Sequence, residues 1–252
     1  MSQRLDVGGV ISRVWRIYVD QAPVLMPAAA VVFVIEGILA ALLAASGSVA
    51  GIVLAEVISI VAGILFTGMV VELVSDVQDG RRDSSPGQLL RAAVPVLGQL
   101  ILVGLVASIA IVVGFVLIIV PGLILITIWS VFVPVIVLER APGLSSLSRS
   151  RELVRGNGWQ VFGVLFVLYV LVGIISAALD GAATSASTGV GIVVRVIVGV
   201  LTAPLGALAA AVLYFDLRAA SGEAATTPPL PPPPSRPPPP SRTPPPSPPS
   251  TL

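Results

Sequence analysis

The chain contains no cysteine, no histidine and no lysine in 252 residues. Without cysteine there is no disulfide, no thiolate nucleophile and no thiolate-held metal. Without histidine the commonest general base and the commonest transition-metal ligand are missing. All 14 basic residues are therefore arginine, and 13 acidic residues leave a formal net charge of +1. Charge as a whole is scarce, at 11% of the chain, against about 25% in a soluble domain whose surface faces water. What stands in its place is apolar: 56% of residues are hydrophobic and the mean hydropathy is +1.02. So little charge cannot wrap an aqueous globule of this size, and the natural solvent for most of the chain is lipid. The arginine-only basic set, with abundant Ala, Gly, Val and Pro, suits a bacterium with a GC-rich genome.

A spanning helix needs about 20 apolar residues, because the hydrocarbon core is about 30 Å thick and each residue rises about 1.5 Å. Residues 22–45 make the first span, with Glu36 inside. That run is longer than the roughly 7–15 residues of a signal-peptide core, so it reads as a retained helix. A short turn, Ser46-Gly47-Ser48, leads to residues 49–74, with Glu56 inside and Glu72 at the end. Asp76 to Arg91 is a charged loop. Val94 to Leu138 then runs without a charge, about 67 Å as one helix and too long for one crossing. Pro121-Gly122 falls within it and suits the central positions of a type II turn. The sequence predicts a tight hairpin there between helices 94–119 and 122–139; the other reading is a kinked helix with a re-entrant piece. Residues 159–179, closed by Asp180 and a small-residue loop to Ser187, and residues 189–215, with Arg195 inside, complete six spans. Past Ala219 the chain is mostly proline with Ser, Thr and two arginines, which predicts an extended, disordered segment. The fold class is thus an all-α membrane protein. It has about six transmembrane helices over 22–217, two cytoplasmic amphipathic helices (one within 1–21), and a disordered Pro-rich tail over 218–252.

The arginines sort by loop. Arg4, Arg13 and Arg16 precede the first span; Arg81, Arg82 and Arg91 lie between the second and third. Arg140, Arg149, Arg151 and Arg155 lie between the fourth and fifth, and Arg218, Arg236 and Arg242 follow the sixth. The other three connections contain none. The positive-inside rule places both termini and both long loops in the cytoplasm of a multi-pass protein of the bacterial inner membrane.

Two arginine-bearing stretches have an amphipathic pattern. Val7, Val10, Ile11, Val14, Trp15 and Tyr18 recur at helical spacing, with Arg13, Arg16 and Asp20 on other faces. Leu144, Leu147, Arg151 and Val154 form a weaker stripe opposite Ser145, Arg149 and Glu152, and Gly156-Asn157-Gly158 supplies a C-cap signal. Such helices rest in the headgroup layer, either as topology signals and packing elbows or as recognition elements for anionic lipid.

Three stretches, LDVGGVISRVWRIYVDQAPVL, VPGLILITIWSVFVPVIVLER and GLSSLSRSRELVRGNGWQVFG, together resemble the glycerophosphoryl diester phosphodiesterase membrane domain family and the related YciC-like bacterial membrane proteins. The likeness spans about residues 5–217. The positions that match the family pattern are Pro121, Gly122, Glu139, Arg149, Ser150, Leu153, Val154 and Trp159. The resemblance implies a six-helix membrane module and does not carry over the phosphodiesterase activity. In those enzymes the chemistry belongs to a soluble barrel with two histidines and metal-binding carboxylates; this chain has neither the histidines nor a stretch for the barrel.

Three charges fall inside spans: Glu36, Glu56 and Arg195. Counted from the helix ends, all three lie in the outer half of the bilayer, which predicts that Arg195 contacts one of the glutamates. The arrangement reads as a buried pair that fixes packing, as a substrate or proton site of a transporter, or as snorkelling side chains. Gly199, Ala203, Gly206 and Ala210 form a small-residue ladder on the sixth helix for internal or homo-oligomeric packing, and Pro204 within it predicts a kink. Trp129, Trp159 and Tyr169 are too scattered in sequence to suggest a cofactor box. No catalytic residue, metal site, cofactor or nucleic-acid surface is expected. The leading reading is a non-enzymatic membrane module in lipid or envelope processes, ahead of a transporter or channel using Glu36, Glu56 and Arg195, with an intramembrane hydrolase third. In the tail, the PxxP pattern reads as a disordered spacer or a ligand for an aromatic-grooved module. Deleting residues 221–252 is expected to leave membrane insertion intact; membrane fractionation and protease protection of the truncated chain check this, and loss of the inserted protein would contradict it.

Overall fold

The computed structural model describes residues 5–78, 96–183 and 188–222. Nine α-helices and no strand occur among them: α1 Val7–Asp20, α2 Ala22–Ala44, α3 Val49–Gln78, α4 Leu97–Leu117, α5 Ile119–Ile128, α6 Phe132–Glu139, α7 Ser145–Val154, α8 Gly158–Ala183 and α9 Thr188–Ala220. Lipid offers no hydrogen bonds to an exposed backbone, so apolar runs of this length close their own i→i−4 ladders. The result is six helices long and apolar enough to cross a membrane, with α5 and α6 together making the fourth. The expected count is met. Arg4, most of the Asp76–Arg91 loop and the Pro-rich tail beyond Gly222 lie outside the described residues. So do residues 184–187 of the connection before α9, while α8 itself continues past the expected end at Leu179.

The hairpin within the long uncharged run is present, but its vertex is not Pro121-Gly122. The chain reverses at Ile118, which is extended at φ −159° and ψ 142° between α4 and α5. Pro121 sits in the first turn of α5, where a missing N–H costs nothing because the first four are without helical acceptors anyway. Gly122 lies against Gly114 across the turn, where a Cβ on Gly114 would come within 3.1 Å of the Gly122 nitrogen. The two glycines let the backbones touch, and α4 and α5 lie side by side. Here the proline begins the returning helix, and the extended residue before it turns the chain.

The helix expected over 122–139 is also broken. The ladder fails between Ile128 and Phe132, and the groups it frees are satisfied from another element. The Ser150 hydroxyl on α7 donates to the Ile128 carbonyl at 2.9 Å and accepts from the Val131 N–H at 3.4 Å. A single side chain thus closes both sides of the gap, as a break inside an apolar environment requires. This corrects the stripe read for α7. Its buried face is Ser146, Leu147, Ser150, Leu153 and Val154, whereas Leu144 and Arg151 are exposed. Helix α7 is set into the bundle against α5, α6 and α9.

Helix α1 is likewise packed on the bundle. Asp6 caps it, accepting from the Gly8 N–H at 3.1 Å. Val10 and Val14 are fully buried, and α1 lies against α2, α8 and α9. The Tyr18 hydroxyl donates to the Leu201 carbonyl at 3.0 Å, beside the ladder gap that Pro204 makes by withholding an N–H from Val200. Burial raises the pKa of that hydroxyl above the ordinary tyrosine value. Helix α9 runs through Pro204 without ending.

Packing is uneven along the bundle axis. The buried side chains gather at the end where α1, α6, α7 and the last part of α9 meet: Leu25, Phe66, Val70, Val71, Leu100, Ile136, Leu208 and Tyr214 are among the fullest. At the opposite end Leu42, Val49, Ile52, Val112, Ile119 and Val190 stand exposed. The arginine-bearing end is a close-packed core, and the other end presents apolar surface to lipid. Replacing Ser150 with Ala strands a carbonyl and an N–H at the α5–α6 gap. The expected cost is about 1–2 kcal/mol, read by denaturant titration in micelles. Stability equal to that of the parent chain would count against Ser150 as the closing group.

Candidate functional site

At the close-packed end two of the family-like positions, Glu139 and Arg149, meet, while Pro121 and Gly122 lie at the α4–α5 hairpin. Glu139 terminates α6, where Arg140 takes a left-handed conformation (φ 51°) and turns the chain out of the helix. Its carboxylate accepts from Arg149 Nε at 2.9 Å and from the Tyr214 hydroxyl at 3.0 Å. Arg218, one turn beyond Tyr214, donates to that hydroxyl at 3.3 Å and lies over the ring, 5.7 Å from its centroid. On the same end Arg13 of α1 pairs with Asp216, and the Gln99 side chain of α4 donates to the Ala141 carbonyl. Tyr214 is the largest fully buried side chain, so this network holds α6, α7 and α9 in register from inside the core. Its groups bond mainly to one another, although Arg13 Nε and Arg218 Nε are buried without a partner.

The second constellation lies at the opposite end. Glu36 on α2 is buried and accepts from the Ser59 hydroxyl of α3. Glu56, one turn before Ser59, and Arg195 of α9 line a single cleft of about 400 Å³ with Gly37, Ala41 and Ile52. The expected contact between Arg195 and a glutamate is not formed. Arg195 makes no ion pair or hydrogen bond among the described residues, and Glu36 is engaged by a hydroxyl instead. The physical reason is packing. Gly37 brings α2 so close to α9 that a Cβ there would meet Val196 at 2.7 Å, and Glu36 is turned into the α2–α3 seam.

Ser59 also lines a second space, a groove of about 510 Å³ bounded by α3, α4, the broken α5–α6 segment, α8 and α9. Its walls are apolar with scattered hydroxyls, among them Thr67, Ser108, Ser130 and Thr202. The Ser130 hydroxyl, at the helix break, is buried without a hydrogen-bond partner. Trp129 and Tyr169 both line the groove, so two of the three aromatics that looked scattered in sequence border one space. Trp159 is not among them and is 85% exposed. The small-residue ladder divides: Gly199 packs against Phe33 of α2, while Ala203, Gly206 and Ala210 face the groove rather than a helix.

Sequence reasoning therefore found Glu139, Arg149 and Ser150 but not their partners. Tyr214, Asp216 and Ser59 carried weak signals: an aromatic and an arginine four residues apart, an acid between them, and a hydroxyl one turn from an intramembrane acid. Among the described residues no group of carboxylates comes together that could hold a metal ion.

The fold and the two polar constellations define a polytopic α-helical membrane protein built around a close-packed end and an open one. Within that class the chain belongs to the family described as a domain of unknown function, DUF8558, which matches residues 88–217. The match includes Glu139, Arg149, Ser150, Arg195 and Tyr214, and leaves out Glu36, Glu56 and Ser59. No curated protein and no solved structure matches the chain. If Glu139 couples Arg149 to Tyr214, the changes Tyr214→Phe and Glu139→Gln are each expected to destabilise by about 1–3 kcal/mol and to be non-additive in a double-mutant cycle. Micellar unfolding of the four proteins checks this, and strict additivity would show that the two residues act apart.

Proposed function

We propose that this protein is a non-enzymatic membrane module that holds a membrane lipid, and that it acts in lipid or envelope processes of a bacterial cytoplasmic membrane. The observation that carries the reading is Ser59, which lies where a charged cleft meets an apolar groove. A groove of this size within a bilayer is filled by what surrounds it, and lipid chains are what surround it. The arginine-rich end lies in the cytoplasm with both termini, which puts the charged cleft toward the outer leaflet. The likeness to membrane domains that accompany phosphodiesterases of lipid-derived substrates supports the same reading. Helices α1 and α7 keep arginines at the inner surface, where anionic lipid headgroups gather.

A transporter reading draws on Glu56 and Arg195 facing one cleft. It differs in its consequence: Glu36→Gln or Glu56→Gln would abolish flux in a folded protein, while a holding module has no flux to lose. A second copy seated on Ala203, Gly206 and Ala210 is the other competing occupant of the groove.

The lipid reading is tested with Trp129 as the only tryptophan, using the Trp15→Phe, Trp159→Phe chain in micelles. Phospholipid with brominated acyl chains is expected to quench Trp129. Gly206→Leu, at a position where an added Cβ meets open space, is expected to reduce that quenching severalfold. Quenching unaffected by Gly206→Leu, or a dimer that dissociates when Gly206 is enlarged, would overturn the reading.

A further inference from the structure

We infer that the cleft at the arginine-poor end recognises a zwitterionic phosphoethanolamine headgroup, with Arg195 taking the phosphate and Glu56 the ammonium. The inference rests on the lipid-holding reading above and adds the class of headgroup.

Depth is the first argument. Asp216, paired with Arg13, marks the polar surface at the arginine-rich end. Arg195 precedes it by 21 residues on α9, about 31 Å of helix. That matches the roughly 30 Å thickness of the hydrocarbon core and brings Arg195 to the opposite phosphate level. On α3, Glu56 precedes Glu72 by 16 residues, about 24 Å, so its carboxylate lies within reach of the same boundary. A phosphodiester and the glycerol beneath it occupy this layer.

Charge complementarity is the second. A cation and a carboxylate line one cleft, and Arg195 makes no ion pair or hydrogen bond among the described residues, although charges beside a bilayer normally find each other. A purely anionic headgroup would satisfy Arg195 and be repelled by Glu56. A phosphate joined by two carbons to a primary ammonium satisfies both. A guanidinium grips phosphate through parallel N–H donors, and a carboxylate accepts from an ammonium N–H. A trimethylammonium has no N–H to give, so a choline headgroup engages only half of the cleft.

Continuity is the third. The cleft and the groove share Ser59, so a headgroup at Arg195 leads its chains toward Thr202 and Ala203, and then to the break at Ser130. Glu36 keeps Ser59 oriented by accepting its hydroxyl hydrogen, which makes Glu36 a positioning residue.

The test is native mass spectrometry of the full chain released from nanodiscs of phosphatidylcholine mixed equally with phosphatidylethanolamine or with phosphatidylglycerol. The parent chain is expected to retain phosphatidylethanolamine severalfold over either alternative. Glu56→Gln is expected to lose that preference and gain phosphatidylglycerol, because Arg195 then acts alone. Arg195→Gln is expected to lose retention of all three, and Arg195→Lys to restore part of it. Soluble glycerophosphoethanolamine is expected not to displace the lipid, and displacement by it would overturn the lipid assignment in favour of a free phosphodiester. Equal retention of the three headgroups, or a Glu56→Gln pattern identical to the parent, would overturn the headgroup assignment. With Trp129 quenching by brominated chains intact, either result would leave the lipid-holding reading standing, whereas loss of that quenching would remove both.

Discussion

One constraint organises this molecule: a backbone N–H or C=O inside a bilayer must find its partner within the protein. Long apolar helices satisfy it along most of their length, and among the described residues the fourth span is broken between Ile128 and Phe132. There Ser150 reaches in from α7 and closes the gap from both sides. The position of α7 follows from this. A segment with a charged face that would otherwise rest among headgroups is drawn into the bundle, and it carries Arg149 to Glu139. Tyr214 and Arg218 complete the attachment to α9. The pairing of Arg13 with Asp216 adds α1.

Those attachments all sit at one end, and the bundle is packed most closely there. Close-packed side chains near Leu208 and Tyr214 give way to exposed Leu42, Val49 and Val190. In water such a surface would drive association. In a bilayer it is solvated by acyl chains, and the gap between helices is the compartment proposed for lipid. The α5–α6 break contributes a wall to that compartment and leaves the Ser130 hydroxyl buried without a partner. One irregularity thereby anchors α7 through Ser150 and borders the groove at Ser130.

Charge is used economically in the same design. At the packed end opposite charges meet directly, as in Glu139–Arg149 and Arg13–Asp216. At the open end Glu56 and Arg195 share a cleft without an ion pair, and Glu36 is occupied by Ser59. Paired charges there would lock α3 to α9. Unpaired charges in one cleft are the basis of the proposed site for a molecule carrying both signs.

The number of spans was legible because hydrophobic run length against bilayer thickness is a local property. The hairpin was legible for the same reason, since 45 uncharged residues cannot make one crossing. Its vertex was not: Pro-Gly fits a turn and also fits a helix start, and only the Gly114–Gly122 approach decided between them, placing the reversal at Ile118. Absent histidine, cysteine and lysine bounded the chemistry without any structure. Glu139, Arg149 and Ser150 stood out through a family resemblance, yet the partner of Glu139 on α9, Tyr214, lies 75 residues away in the chain, a separation no periodicity reports. The same holds for Trp129 with Tyr169 and for Ser59 with Glu36. The sequence by itself determined which segments enter the membrane and what chemistry they lack. Tertiary structure alone decided which polar groups face one another and which face a cavity, because those pairings follow from the close approach of helices that the chain order leaves open.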